Sequence, residues 1–276
     1  MTSRAVVLAH AHDLGATAVA AQLSTCFGPH DVTVVRPETL GLGRWSHRLG
    51  STSEVQTVLI LPSGMAIASS AVSCLFNRLQ YLPSPRFSRA SPKDRNYASA
   101  ELQAIVASWL SSLGSRVVNP AGPRGQARGP ISRRGWLALA ADCELPVARS
   151  LAATTGKMIQ ATLPGERIRL RESWLAGPRG PVPVEVEPDP VTGDEEETLL
   201  VAGDRVVGAL ADSYGTRCRA VARRSGCTLL EFRFRRLNGA FVVGEIDPFP
   251  LLAHAEAAIA TAELLLETAA RHERAR

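Results

Sequence analysis

The dipeptide Asn238-Gly239 lies between two runs, residues 228–234 and 240–246, that are rich in leucine, phenylalanine, valine and isoleucine. Asn-Gly readily takes the left-handed backbone of a two-residue turn, so the runs are expected to pair as an antiparallel hairpin. Gly203-Asp204 gives a second turn signal inside residues 198–209, where LLVA turns into RVVGA. Ser63-Gly64 gives a third, between residues 54–61 and 65–69. The N-terminal end follows another rule. Residues 4–9 (RAVVLA) read as a short buried strand, residues 14–23 as a helix with Asp13 as its N-cap, and residues 31–35 (DVTVV) as a second strand. Strand, helix and strand at short spacing predict a small α/β sheet. With hairpins further along, the chain is expected to be of the α/β (α+β) class.

Residues 97–113 form an amphipathic pattern with Tyr97, Leu102, Ile105, Val106, Trp109, Leu110 and Leu113 on one face, and Gly114 stands at the C-cap. The preceding segment, YLPSPRFSRASPKDRN, is expected to be an ordered loop. Ser132 is placed to cap a helix over residues 133–143, and a basic helix is expected over residues 216–225. A final helix, rich in alanine and leucine, is expected over residues 251–272. Residues 176–197 hold five prolines, three glycines and an acidic cluster, and read as an exposed, mobile loop. With 276 residues the chain suits one large domain or two modest ones. The boundary falls between residues 1–120 and 121–276.

Composition narrows the function. No apolar run reaches the roughly 18 residues of a membrane helix, and the N-terminus does not read as a secretory signal. Five scattered cysteines without a CxxC pair argue for a reducing, cytoplasmic setting and against a disulfide framework or zinc ribbon. Aromatics are 5%, so despite a net charge of +5 no nucleic-acid partner is expected. Only Lys93 and Lys157 are lysines among 31 cationic residues, so any chemistry that needs a lysine has two candidates. No Walker-type glycine loop, GxSxG or HExxH occurs.

Several groups of residues carry possible chemistry. His10-x-His12-Asp13 follows the first strand; it reads as a metal site or, more simply, as a polar strand-to-helix loop. Glu245 and Asp247 are two apart on a strand, so both carboxylates lie on one face, where a divalent cation fits; the plain alternative is a strand end capping a helix. Arg167, Arg169 and Arg171 alternate, and Arg233, Arg235 and Arg236 crowd another strand. Either set suits an anionic pocket or a solvated strand face.

Taken in order, a series of short motifs resembles the ATP-grasp superfamily, in its peptide-modifying and glutathione-synthetase-like branch. They are Asn77-Arg78; Asn96-Tyr97-Ala98 with Glu101; Trp109 to Leu113; Val117-Val118-Asn119-Pro120; residues 132–146; Gly203 to Ala209; and residues 218–250, which end in GEIDPFP. The resemblance covers residues 1–147 and 198–270 in patches. It implies a small N-terminal α/β domain and a reduced ATP-grasp-like domain with antiparallel hairpins and a C-terminal helix. ATP would lie between two antiparallel sheets, held by two lysines, with magnesium on a carboxylate trio. Lys157 is then the one phosphate-contacting lysine, with Arg167, Arg169 and Arg171 beside it, and Glu245 and Asp247 are the metal ligands. Arg233 stands where the family has a metal-binding Asp, and a cation in that seat weakens metal binding.

Three functions follow. The first is a degenerate ATP-grasp-like protein that binds a peptide or partner protein in a biosynthetic or peptide-modification pathway, with a homodimer admissible. The second is an active ATP- and Mg-dependent carboxylate–amine ligase. The third is a plain α/β protein binding an anionic small ligand.

Overall fold

The structure is a computed structural model that describes residues 4–50, 55–79, 89–121, 131–147, 151–153, 168–172, 184–188, 196–237 and 239–275. Strand β1 (Ala5–Leu8) is buried along its whole length, as a strand with neighbours on both sides and helices on both faces must be. It pairs in parallel with β2 (Val32–Val35) and β6 (Cys74–Asn77), and β6 pairs in parallel with β7 (Val117–Val118). The sheet order is β2-β1-β6-β7. Parallel neighbours need crossovers. Helix α1 (Leu14–Phe27) provides one and α3 (Pro92–Leu113) another. Alternation divides the sheet's side chains between two cores. Ala5, Val7, Cys74 and Phe76 meet α1 and the C-terminal helix α6 (Ala255–Arg274), while Val6, Leu8 and Leu75 meet Val106, Trp109 and Leu110 of α3.

The expected cap holds: Asp13 accepts from the Ala16 N–H at 2.9 Å, and α1 runs on to Gly28, whose φ of 96° ends it. Helix α3 begins five residues before the expected position. Ser91 caps it and Pro92 occupies its first turn, where a missing N–H costs nothing. Tyr97, expected on the buried face, is 68% exposed, because the buried stripe starts only at Leu102.

After α2 (Pro37–Leu42) comes a three-stranded antiparallel meander, β3 (Arg44–Leu49), β4 (Val55–Ile60) and β5 (Ala66–Ala68). The β4–β5 hairpin was expected and β3 was not. Its sequence, RWSHRL, looks polar, yet Trp45 meets Trp109 edge-on at 5.5 Å and His47 bridges Thr57 and Ser108.

The second half holds α4 (Arg133–Asp142) and the antiparallel sheet β12-β11-β13-β14. Its strands are β11 (Glu196–Ala202), β12 (Arg205–Val207), β13 (Leu229–Leu237) and β14 (Ala240–Asp247), and α5 (Ala211–Ser225) covers one face. Both expected hairpins are present, with Gly203 and Gly239 at positive φ. A separate sheet has the order β8-β10-β9, from β8 (Leu151–Ala153), β9 (Ile168–Glu172) and β10 (Val184–Pro188). Strand β10 corrects the reading of residues 176–197 as one mobile loop: VEVE alternates with period two and pairs with strands on both sides. The other residues of that loop up to residue 195 lie outside the described set. The last helix starts at Ala255, because residues 248–254 run as an irregular segment in which Leu252 has φ +54°.

One apolar core spans both halves of the chain. Val19 and Leu23 of α1 pack in the same cluster as Leu200 of β11, Leu229 of β13 and Leu264 of α6. Among the described residues, no helix is long and apolar enough to cross a membrane.

Candidate functional site

Strand β13 reads LLEFRFRRL, and its alternation sorts charge from core. Phe232 and Phe234 are fully buried against Cys218 and Val221 of α5. Glu231 and Arg233 therefore point to the opposite face. On that face the register sets Glu231 across from Asp247 and Arg233 across from Glu245. Just beyond, the register slips at a bulge, so that Phe234 pairs with Val243 and Gly244 is the extra residue. Arg133 fixes the bulge by donating to the Gly244 carbonyl at 2.8 Å.

The result is three carboxylates around one guanidinium. Arg233 Nε donates to Glu231 at 3.0 Å and its Nη1 donates to Glu245 at 3.2 Å. Burial opposes the charge on Arg233. The hydrogen bond it donates to Glu231 and the charges of Glu231, Glu245 and Asp247 outweigh it, so its pKa lies above the ordinary arginine value. The other oxygens have work of their own. Glu231 Oε2 accepts from the Leu251 N–H at 3.1 Å, and Asp247 accepts from the Phe249 N–H at 2.8 Å.

Glu245 and Asp247 thus share one face, as their spacing required, and Arg233 lies among them. The sequence reading missed Glu231, although it stands two residues before Arg233 on the same strand and its spacing marks the same face. A magnesium ion does not fit this arrangement, because the guanidinium already sits between the two glutamates and supplies the positive charge. Among the described residues, no three His, Cys, Asp or Glu side chains gather into a group able to hold a metal ion.

Lys157 and Arg167 are outside the described residues. Arg169 and Arg171 belong to β9, where the register pairs them with Glu187 and Glu185 of β10. Arg236 lies over the Phe241 ring at 5.0 Å. Asp13, grouped in sequence with His10 and His12, serves another partner. Arg78, with 4% of its side chain exposed, gives Asp13 two bonds, at 2.8 and 3.2 Å. Arg78 also donates to the Pro250 carbonyl at 2.6 Å and stacks 3.6 Å above the Phe249 ring. The end of β6, the start of α1 and the segment after β14 are clamped together by this one side chain.

Asn119 makes a second clamp. Its Nδ2 donates to the Leu229 and Pro248 carbonyls at 2.6 and 2.9 Å, while its Oδ1 accepts from Thr228 and Leu229 at 3.0 and 2.9 Å. Segment 248–254 is thereby held at Pro248 and Pro250, and its Phe249 and Leu251 N–H groups meet the carboxylate face. Beside the segment opens a cleft of about 1330 Å³, lined by Asp13, Arg78, Phe249 and Leu251 among others. It lies at the carboxyl ends of β1, β2 and β6, where the strand order reverses. Open α/β sheets bind their ligands at such a place.

No protein-family model matches the sequence, and no curated protein sequence matches it. Solved structures do. The macrocyclase MdnB from Microcystis aeruginosa MRC superposes with a TM-score of 0.74 at 14% identity, over 96% of this chain and 99% of that one. The ATP-grasp ligase PsnB, complexed with minimal precursor, Mg and ADP, gives 0.71 at 16% identity, over 96% and 97%. A RiPP-associated ATP-grasp ligase from Chryseobacterium gregarium, in complex with ADP and a leader and core peptide, gives 0.70 at 10% identity, over 96% and 97%. Superposition at TM-scores of 0.70 to 0.74 over nearly the whole of each chain identifies the architecture: this chain has the ATP-grasp fold.

Proposed function

We propose that the chain is a peptide- or partner-binding component of a peptide-modification pathway, built on an ATP-grasp fold whose nucleotide site is degenerate. One observation carries the reading: Arg233 lies between Glu231 and Glu245, at 3.0 and 3.2 Å, where phosphoryl chemistry needs a divalent cation. The peptide partner is supported by the similar ligases solved with precursor, leader or core peptides. A cytoplasmic setting, a division near residue 120 and a homodimer belong to the same proposal.

A second reading rests on a different feature of the same face. Glu231, Glu245 and Asp247 are a carboxylate trio in register, and an active Mg- and ATP-dependent carboxylate–amine ligase needs such a trio. There Glu245 and Asp247 hold the metal, with Lys157, Arg167, Arg169 and Arg171 toward the phosphates, once Arg233 has left. PsnB, solved with Mg and ADP, supports this alternative.

Thermal unfolding with and without millimolar Mg-ATP separates the two. A ligand at 100 times its dissociation constant stabilises by about 2.7 kcal/mol. The degenerate site gives no magnesium-dependent shift. A clear one, with ADP release on adding an acceptor peptide, establishes the ligase instead.

A further inference from the structure

Four leucines are exposed among the described residues, namely Leu14, Leu42, Leu49 and Leu251, and three of them line the cleft at the carboxyl ends of β1, β2 and β6. They come from three different elements: Leu14 opens α1, Leu42 closes α2, and Leu251 belongs to the pinned segment before α6. Scattered surface leucines need no explanation, but three converging on one concavity do.

The polar lining complements them. His10, His12, Arg36, Glu38 and His254 border the same cleft. Arg78 and Asp13 cancel each other as an ion pair. Arg36 is exposed, and its side chain makes no capping bond to α2. The first turns of α1 and α6 also reach the lining through Gly15 and Ala255, and the N-terminal ends of helices carry partial positive charge. Against this stands Glu38. The cleft therefore offers apolar contacts beside hydrogen-bond donors and a cation. At about 1330 Å³ it also exceeds the roughly 300–1,000 Å³ of small-molecule pockets.

We infer that this cleft is a docking site for an extended peptide segment that combines aliphatic side chains with a carboxylate: leucine-like residues on Leu14, Leu42 and Leu251, and the carboxylate toward Arg36 and the histidines. The inference rests on the peptide-partner reading above and gives it a place and a chemistry. None of Glu231, Arg233, Glu245 and Asp247 lines the cleft.

Fluorescence anisotropy on the full chain tests it, with a short labelled peptide of alternating leucine and glutamate as the probe. The peptide binds, while versions with lysine for glutamate or serine for leucine do not. Arg36→Glu and Leu42→Glu, both at exposed positions on α2 and its cap, each weaken binding roughly tenfold or more (about 1.4 kcal/mol per tenfold) while the melting temperature stays unchanged. Leu251→Glu, on a separate element, does the same. Binding that survives all three changes places the peptide elsewhere and overturns the cleft assignment, with the peptide-partner reading intact. Displacement of the probe by inorganic phosphate alone reduces the site to a small-anion site, which also overturns it. So does sedimentation showing that a second copy already covers Leu42. If none of the peptides binds, the stated chemistry is wrong, whatever Mg-ATP does to the melting temperature.

Discussion

Replacing Arg233 by methionine removes the cation and keeps most of the side chain's volume. Glu231 has 9% of its side chain exposed and Arg233 has 24%, so their bond at 3.0 Å is largely shielded from water. Removing one partner of a buried pair leaves an uncompensated charge, and about 3 kcal/mol is the expected loss at this degree of shielding. Glu245 is 36% exposed, and screening limits its pair with Arg233 to about 1 kcal/mol at most. The sum, about 3–4 kcal/mol, corresponds to a fall of roughly 10 °C in the unfolding midpoint for a chain of this size. Scanning calorimetry at neutral pH measures it. The double variant Arg233→Met with Glu231→Gln recovers most of the loss, because the residual cost lies in the unpaired Glu231 charge. If Arg233→Met melts with wild type, or if Glu231→Gln makes it worse, then the guanidinium is not what neutralises this face.

Other parts of the fold give further expectations. Arg78→Lys cannot reproduce the paired bonds to Asp13 together with the Pro250 contact; a loss of about 2–4 kcal/mol in urea denaturation is expected, and wild-type stability would contradict the clamp. Asn119→Asp keeps the size but turns an oxygen toward the Leu229 and Pro248 carbonyls. It should cost about 2–3 kcal/mol or more by the same assay, and a neutral result would mean the four bonds matter little. Burial pushes the Cys74 and Cys218 thiols up to about 12 from an ordinary 9.0. The raised folded value means their contribution is whole below pH 9 and is lost between pH 9 and 12, as unfolded thiols ionise and folded ones do not. Stability curves over that range should fall more steeply for wild type than for Cys218→Ala. In the native protein a thiol reagent should label the exposed Cys26 first, and the buried Cys74, Cys143 and Cys218 only on unfolding.

What the sequence revealed was local. The turns at Gly203 and Gly239 and the caps Asp13 and Ser132 rest on neighbouring residues, and they stand where the residues placed them. Strand β10 was hidden by its flanking prolines, and β3 by arginines that point outward while Trp45 and His47 point in. Asp13 looked like part of a histidine cluster. Its use is decided by Arg78, 65 residues away, and no spacing rule reports a distance of that kind. Glu231 was legible in principle, since its period-two relation to Arg233 matches that of Glu245 to Asp247. The cleft was not legible, because Leu14, Leu42 and Leu251 become neighbours only when three elements meet.

On the proposed reading, Arg233 takes the place of a metal ion on the β13–β14 face. A titration with Mn²⁺, followed by the electron paramagnetic resonance signal of the free ion with ATP present, tests it most directly. Wild type should leave the free-ion signal as it is with ATP alone, while Arg233→Met should take up Mn²⁺ on Glu231, Glu245 and Asp247. Uptake by wild type, lost on Glu245→Ala, would contradict it and make the chain a metal-dependent ligase.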